Sequence, residues 1–257
     1  MKLRDIINIL FDELKLKQQE KWDNSGLQIG SMNSDIKKIM VILDFDENSL
    51  QFAINNNIDL IITHHPFIFD SIKSIDFDTY DGNIIKELIK HDICIYSMHT
   101  NFDLAENGVN KILAEKLNIM QYDLLHTVYD NVGYGGVSQI DPINIVEYAK
   151  LVKENLNCPS IKLYCVDESK TIKTVAFCGG SGSEFISDAI NKKADVYITG
   201  DIKYHQAQDA LKNNLCIIDA GHYYTEYHSL TNIQIALRKY NLDIILLGIN
   251  TVNEILL

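Results

Sequence analysis

The chain is short of positive charge, has no paired cysteines and contains no membrane-length apolar run, and each absence removes a class of function. Lys and Arg total 23 against 35 Asp and Glu, a formal net charge of −12. Non-specific nucleic-acid binding depends on clustered Lys and Arg, so nucleic acid is set aside as a partner. A small anionic substrate is not, because a metal site supplies its own local positive charge. The five cysteines (Cys94, Cys158, Cys165, Cys178 and Cys216) are scattered, odd in number and never spaced Cys-x-x-Cys. Most lie in apolar strand-like runs and read as reduced, buried residues of a cytosolic protein. The opening Met1-Lys2-Leu3-Arg4-Asp5 leads into a segment broken by Asp12 and Glu13, with no secretory h-region. No stretch is long enough to span a bilayer. The expectation is a cytoplasmic protein without membrane contact, and no repeat or low-complexity segment suggests a fibrous or disordered one.

What is present is an alternation of short apolar runs with amphipathic ones. At 257 residues and 46% hydrophobic content the chain can bury a large core. Leu3, Ile6, Ile7, Leu10, Phe11 and Leu14 recur at helical spacing and make a first helix. Strands then read at Lys38–Leu43, Asp59–Thr63 and Ile93–Ser97, with helices at Glu47–Asn56, Asn83–Lys90 and Val109–Leu117. A Gly-rich strand from Gly133 to Ile140 interrupts this alternation. Beyond it a second series begins: a helix at Ile143–Asn155, strands at Ile161–Val166, Thr174–Cys178, Val196–Thr199, Leu215–Ile218 and Ile244–Leu247, and helices at Glu184–Lys192, Tyr204–Lys212 and Tyr223–Tyr240. Strands alternating with helices signal mostly parallel sheets flanked by helices. The predicted fold class is therefore α/β, with two α/β domains at residues 1–130 and 131–257 and ligands gathered where strands meet loops.

Chemistry-bearing residues fall at those strand ends. His64 and His65 stand side by side in Thr63-His64-His65-Pro66, directly after a strand-like run and before a proline that cannot continue a ladder. Strand alternation points their rings to opposite sides of the backbone, suited to two metal ions or to one ion and a substrate. His99 and Asp103 follow the run Ile93–Tyr96. Asp103 offers oxygen ligands or a helix cap, and His99 a ligand or a proton carrier. His222 and Glu226 follow the run Leu215–Asp219 at i, i+4, one turn apart on one helical face. Gly179-Gly180-Ser181-Gly182-Ser183 lies between a strand and a helix, where backbone N–H groups grip phosphates or a tight turn needs glycine. It lacks the Gly-Lys-Ser/Thr ending of a P-loop and the spacing of a dinucleotide fingerprint. Asp201, Tyr204 and His205 follow the next strand and mark another edge for substrate, with a plain packing role open for His205. His91, His126 and His228 have no such placement and read as surface or packing residues.

Together, Trp22-Asp23-Asn24-Ser25-Gly26-Leu27-Gln28-Ile29-Gly30, Thr63–Pro66, His99–Asp103, Gly179–Ser183, Thr199–His205 and Gly221–Glu226 closely resemble the dinuclear metal-centre family. Its members are commonly labelled GTP cyclohydrolase 1 type 2 homologues, and the resemblance runs in register from the first helix to about Gly248. It implies two α/β domains with a two-metal site in the cleft between them, and a homohexamer. The family's ligands fall on His64, His65, Asp103, His222 and Glu226. Five ligands for two ions require a bridge, from Asp103 or Glu226. This donor set has no thiolate and suits Zn, Fe, Mn, Co or Ni without choosing among them. The family label implies a metal-bound hydroxide attacking a purine nucleotide ring, with His99 as proton carrier. The alternatives are a metal-dependent phosphoesterase or nucleotide hydrolase and a non-catalytic metal-binding ring scaffold. The chain has no room for the central domain inserted in longer members. Its close, Asn250-Thr251-Val252-Asn253-Glu254, lacks the proline of the family's usual ending.

Overall fold

The computed structural model describes residues 1–252; the end of the chain, including Asn253 and Glu254, lies outside the described residues. The fold divides into two compact units, Met1–Gly108 together with the stretch from Leu230 onward, and Val109–Ser229. The sequence reading divides the chain once, at 130/131. The structure divides it twice, because the end of the chain returns to pair with the first unit.

In the first unit the elements are α1 (Leu3–Leu14), β1 (Gly26–Ile29), β2 (Lys38–Ile42), α2 (Glu47–Asn55), β3 (Leu60–Thr63), α3 (Tyr80–Lys90), β4 (Cys94–Ser97) and α4 (Thr100–Asp103). The second unit holds α5 (Val109–Lys116), β5 (Asp123–Tyr129), β6 (Val132–Asn144), α6 (Ile145–Asn155), β7 (Lys162–Tyr164), β8 (Thr171–Phe177), α7 (Ile186–Asn191), β9 (Val196–Thr199), α8 (Tyr204–Lys212), β10 (Cys216–Asp219) and α9 (His222–Glu226). The chain then re-enters the first unit through α10 (Leu230–Leu237) and β11 (Asp243–Leu247).

The first sheet has the order β1-β4-β3-β2-β11. β2, β3, β4 and β11 are mutually parallel, with Ile61 opposite both Met40 and Ile95, and only β1 runs antiparallel. β3 and β4 are buried along their whole length. That is why they read as continuous apolar runs and not as alternating ones. Leu50, Ala53, Ile84 and Leu88 of the flanking helices pack on this sheet. α1 buries Leu3, Ile6, Ile7, Leu10 and Leu14 and packs against α10; Phe11, on the edge of that stripe, is exposed instead.

The second sheet has the order β5-β6-β8-β9-β10-β7 and is mixed. β8, β9 and β10 are parallel, whereas the β5–β6 hairpin and β7 pair antiparallel. The expected Gly-rich strand is part of the longer β6, and the sequence reading misses its partner β5. The helix expected over Tyr223–Tyr240 is broken by a 3₁₀ turn at Tyr227–Ser229, where the chain leaves the second unit. No helix of the described residues is long and apolar enough to cross a membrane.

Candidate metal centre

In the first unit, the ends of β3 and β4 are tied beyond the last strand residues. His64 N–H donates to the carbonyls of Ile42 and Leu43, His65 N–H to Leu43, and Met98 N–H to Thr63. The Thr63 and Ser97 hydroxyls bond each other at 2.7 Å. This lacing holds His64, His65 and His99 in one cluster. A ring nitrogen from each lies within 4.8 Å of those of the other two. The His64 and His65 rings do not diverge as strand alternation predicts; their centroids are 4.8 Å apart. The strand ends at Thr63, so its alternation no longer governs the two residues that follow.

Each of the three imidazoles is anchored through Nδ1. His64 Nδ1 bonds the Met98 carbonyl at 2.7 Å, His65 Nδ1 the Asp44 carboxylate at 2.6 Å, and His99 Nδ1 the Asp23 carboxylate at 2.7 Å. A carbonyl or a carboxylate can only accept, so each Nδ1 is the donor of its bond. Imidazoles that bind metal are commonly held in this way, with the second nitrogen donating to a carboxylate or carbonyl. Asp103, the last residue of α4, stands with Oδ1 3.6 Å from His64 Nε2. His64 is fully buried.

Asp23 is a heavily bonded carboxylate. It accepts from His99, from the hydroxyls of Ser25 and Thr100, and from the backbone N–H of Asn24 and Thr100. Burial pushes its pKa up, but the hydrogen bonds from His99, Ser25 and Thr100 outweigh burial and hold the carboxyl well below the usual range.

In the second unit, His222 opens α9 and Glu226 closes it. His222 Nε2 lies 3.1 Å from Glu226 Oε2, and His222 Nδ1 bonds Asp201 Oδ2 at 2.7 Å. Asp201 presents that carboxylate from a left-handed backbone (φ 58°), a conformation that aspartate adopts more readily than most non-glycine residues. Gly180 also has a positive φ of 65°, and a Cβ there would fall 2.1 Å from Glu226 Oε1 and 3.2 Å from His222 Nε2. Only glycine lets this loop close on the pair.

A profile of the Duf34/NIF3 family (NGG1p interacting factor 3) matches residues 1–252. The chain belongs to the NIF3 family. It is 42% identical over 204 residues to a "GTP cyclohydrolase 1 type 2 homolog" of Streptococcus pneumoniae, covering 78% of this chain and 77% of the relative. A protein of the same name from Clostridium acetobutylicum is 34% identical, covering 98% of this chain and 94% of its own length. A Bacillus cereus protein related to NIF3 has the same fold, with a TM-score of 0.89 over 100% of this chain and 99% of that one at 23% identity.

In this NIF3 chain the residues read from sequence divide by unit. His64, His65, His99 and Asp103 come together in the first, and His222 and Glu226 in the second. Asp201, read as a substrate contact, bonds His222. The N–H groups of Gly180 and Gly182 donate to the hydroxyls of Thr225 and Thr199, both at 2.9 Å. Those bonds hold the loop as a tight turn. Ser181, Tyr204 and His205 are exposed. Glu226 is buried. His91, His126 and His228 pair instead with Glu87, Asp188 and the Leu156 carbonyl. The sequence reading assigns no role to Asp44 or to the Met98 carbonyl, and takes Asp23 only as part of a family motif.

Proposed function

We propose that this chain is a dinuclear metal-dependent hydrolase of the GTP cyclohydrolase type, acting on a purine nucleotide. His64, His65 and Asp103 of the first unit and His222 and Glu226 of the second would hold two divalent ions. The observation that carries this reading is the common wiring of the imidazoles. Every one in the candidate set donates from Nδ1 to a carbonyl or carboxylate, the way in which metal-binding imidazoles are commonly held. The donors are nitrogen and oxygen with no thiolate, a set suited to Zn, Fe, Mn, Co or Ni. When bound, two ions supply Lewis acidity and bring the pKa of a coordinated water down toward about 7.

The protein's own groups then have distinct work. Asp23, ionised across the working pH range, fixes the His99 ring so that its Nε2 can take or deliver a proton as the imidazole ring of the nucleotide opens at C8 and formate leaves. Asp44 and Asp201 hold His65 and His222 in the ligating tautomer. Ser181, on a turn shaped by Gly180 and Gly182, and Tyr204 and His205, at the start of α8, are the exposed side chains of the second unit proposed to meet the substrate. The closeness of His99 to His64 and His65 favours one further reading, in which His99 is itself a ligand. By resemblance to its family the chain assembles as a homohexamer in the cytoplasm.

The purine substrate is taken from the printed names of the relatives. Incubating metal-loaded protein with GTP should release formate and yield a fluorescent pterin precursor. Release of inorganic phosphate without formate would replace this reading with a phosphoesterase. Turnover of neither kind would favour a non-catalytic metal-binding scaffold.

A further inference from the structure

The segment Trp22–Gln28 carries more side-chain bonding than the orientation of His99 requires. Asp23 and Ser25 serve His99, through its ring nitrogen and its backbone N–H. Asn24 and Gln28 reach elsewhere. Asn24 Nδ2 donates to the Ile68 carbonyl at 2.5 Å, Ile68 N–H donates to Gln28 Oε1 at 3.1 Å, and Gln28 Nε2 donates back to the Asn24 carbonyl at 2.6 Å. These bonds tie the loop after Pro66 to the loop that carries Trp22. The tie brings Trp22 and Phe69 together with ring centroids 6.2 Å apart. Both rings stand edge-on to His99, Trp22 at 6.0 Å and 77° and Phe69 at 6.2 Å and 73°.

These two large rings remain in water, Trp22 61% exposed and Phe69 50% exposed. A contact made only to support His99 would gain by burying them, since apolar area removed from water stabilises the fold. Two polar bonds to Ile68, braced by a third from Gln28 to Asn24, instead hold an aromatic pair open beside the imidazole cluster. Such a surface binds flat π-systems, because base–aromatic stacking depends on the ring face and not on a particular hydrogen-bond pattern.

We propose that Trp22 and Phe69 form a stacking platform that receives the planar heterocycle of the substrate beside His99, and so selects nucleotides over ring-less sugar phosphates. This rests on the purine-nucleotide reading above. Under it, the motif Trp22-Asp23-Asn24-Ser25-Gly26-Leu27-Gln28 has one purpose: Trp22 stacks, Asp23 and Ser25 aim His99, and Asn24 and Gln28 bring in Phe69.

Trp22 is the single tryptophan of the chain, so its emission reports on this site alone. The full-length protein as purified is titrated with guanosine 5′-monophosphate and, separately, with ribose 5-phosphate. Saturable quenching by the nucleotide and none by the sugar phosphate is expected. By calorimetry, Trp22→Phe should bind guanosine 5′-monophosphate within a few-fold of the parent, whereas Trp22→Leu and Phe69→Ala should weaken binding roughly 5- to 100-fold, the scale of lost base stacking. Quenching that stays linear and unsaturated, or Trp22→Leu binding as tightly as the parent, overturns the platform. So does a Trp22→Leu protein that loses oligomeric mass in light scattering while the parent shows no quenching, which would make the patch a contact between copies. Repeating the titration after chelation separates the two readings. Saturable quenching without turnover under any metal keeps the platform and removes the hydrolase, and formate release with no quenching does the reverse.

Discussion

His64 and His222 are wired alike at Nδ1 and differently in everything around it. His64 lies fully buried at the end of a core strand, its Nδ1 on a backbone carbonyl that no substitution can remove. His222 opens a five-residue helix, its side chain 34% exposed, and its Nδ1 partner Asp201 is 54% exposed. His64 is therefore built into the hydrogen-bonding of the sheet, and His222 hangs on a surface carboxylate. The difference teaches that one ligand tautomer can be imposed by the fold or by a single side chain, and that only the second arrangement can be adjusted without disturbing the core.

The largest effect should come from attacking the fixed side. His64→Ala should abolish metal binding and activity together, and should also destabilise the first unit by about 1–3 kcal/mol, because the Met98 carbonyl is left buried without its donor. His222→Ala should lower metal content with almost no change in thermal stability. Equal melting temperatures for the two variants would erase the contrast.

His99→Ala comes next. As a proton carrier it should cost roughly 10²–10⁴-fold in rate while both ions stay bound. Competition with a chelator divides the readings: a variant that holds metal much more weakly than the parent makes His99 a ligand.

Smaller effects should follow from the carboxylates behind the rings. Asp44→Ala and Asp201→Ala should each weaken metal affinity by about 10–100-fold, the usual consequence of freeing a ligating histidine. The loss should be smaller for Asp201, the more exposed of the two. A loss greater at Asp201 than at Asp44 would reverse the ranking.

The gentlest test is a pH profile of stability. Asp23 has a depressed pKa in the fold, so its contribution is complete above the ordinary carboxyl value of about 3.9 and is lost as pH falls below it toward the folded value. Parent and Asp23→Asn should differ by roughly 3 kcal/mol at neutral pH and converge in acid. A gap that stays constant from pH 7 to pH 3 would mean that Asp23 acts by shape and not by charge.

How much of this could be read from the chain follows from how far apart the partners lie. His64, His65, Asp103, His222 and Glu226 sit at the ends of apolar runs, and local pattern places them there. Their anchors are not local: Asp44 is 21 positions from His65, Met98 is 34 from His64, and Asp23 is 76 from His99. No periodicity links residues at such separations. The return of β11 beside β2 is invisible for the same reason. The convergence of the His64 and His65 rings was missed on a finer point, since alternation holds only while the strand lasts. The Gly180 turn is legible in the sequence, whereas the Thr225 and Thr199 hydroxyls that hold it, distant in sequence, are not.

The central claim is that the imidazoles anchored through Nδ1, in each of the two units, are metal ligands. Metal content per chain, measured on the parent, His65→Ala and Glu226→Ala after equilibration with excess Zn²⁺ and removal of loose ions, tests it most directly. The account predicts two ions per chain in the parent and fewer than two in each variant, one from each unit. A parent that retains no ion, or variants that both retain the parent's full content, would contradict it.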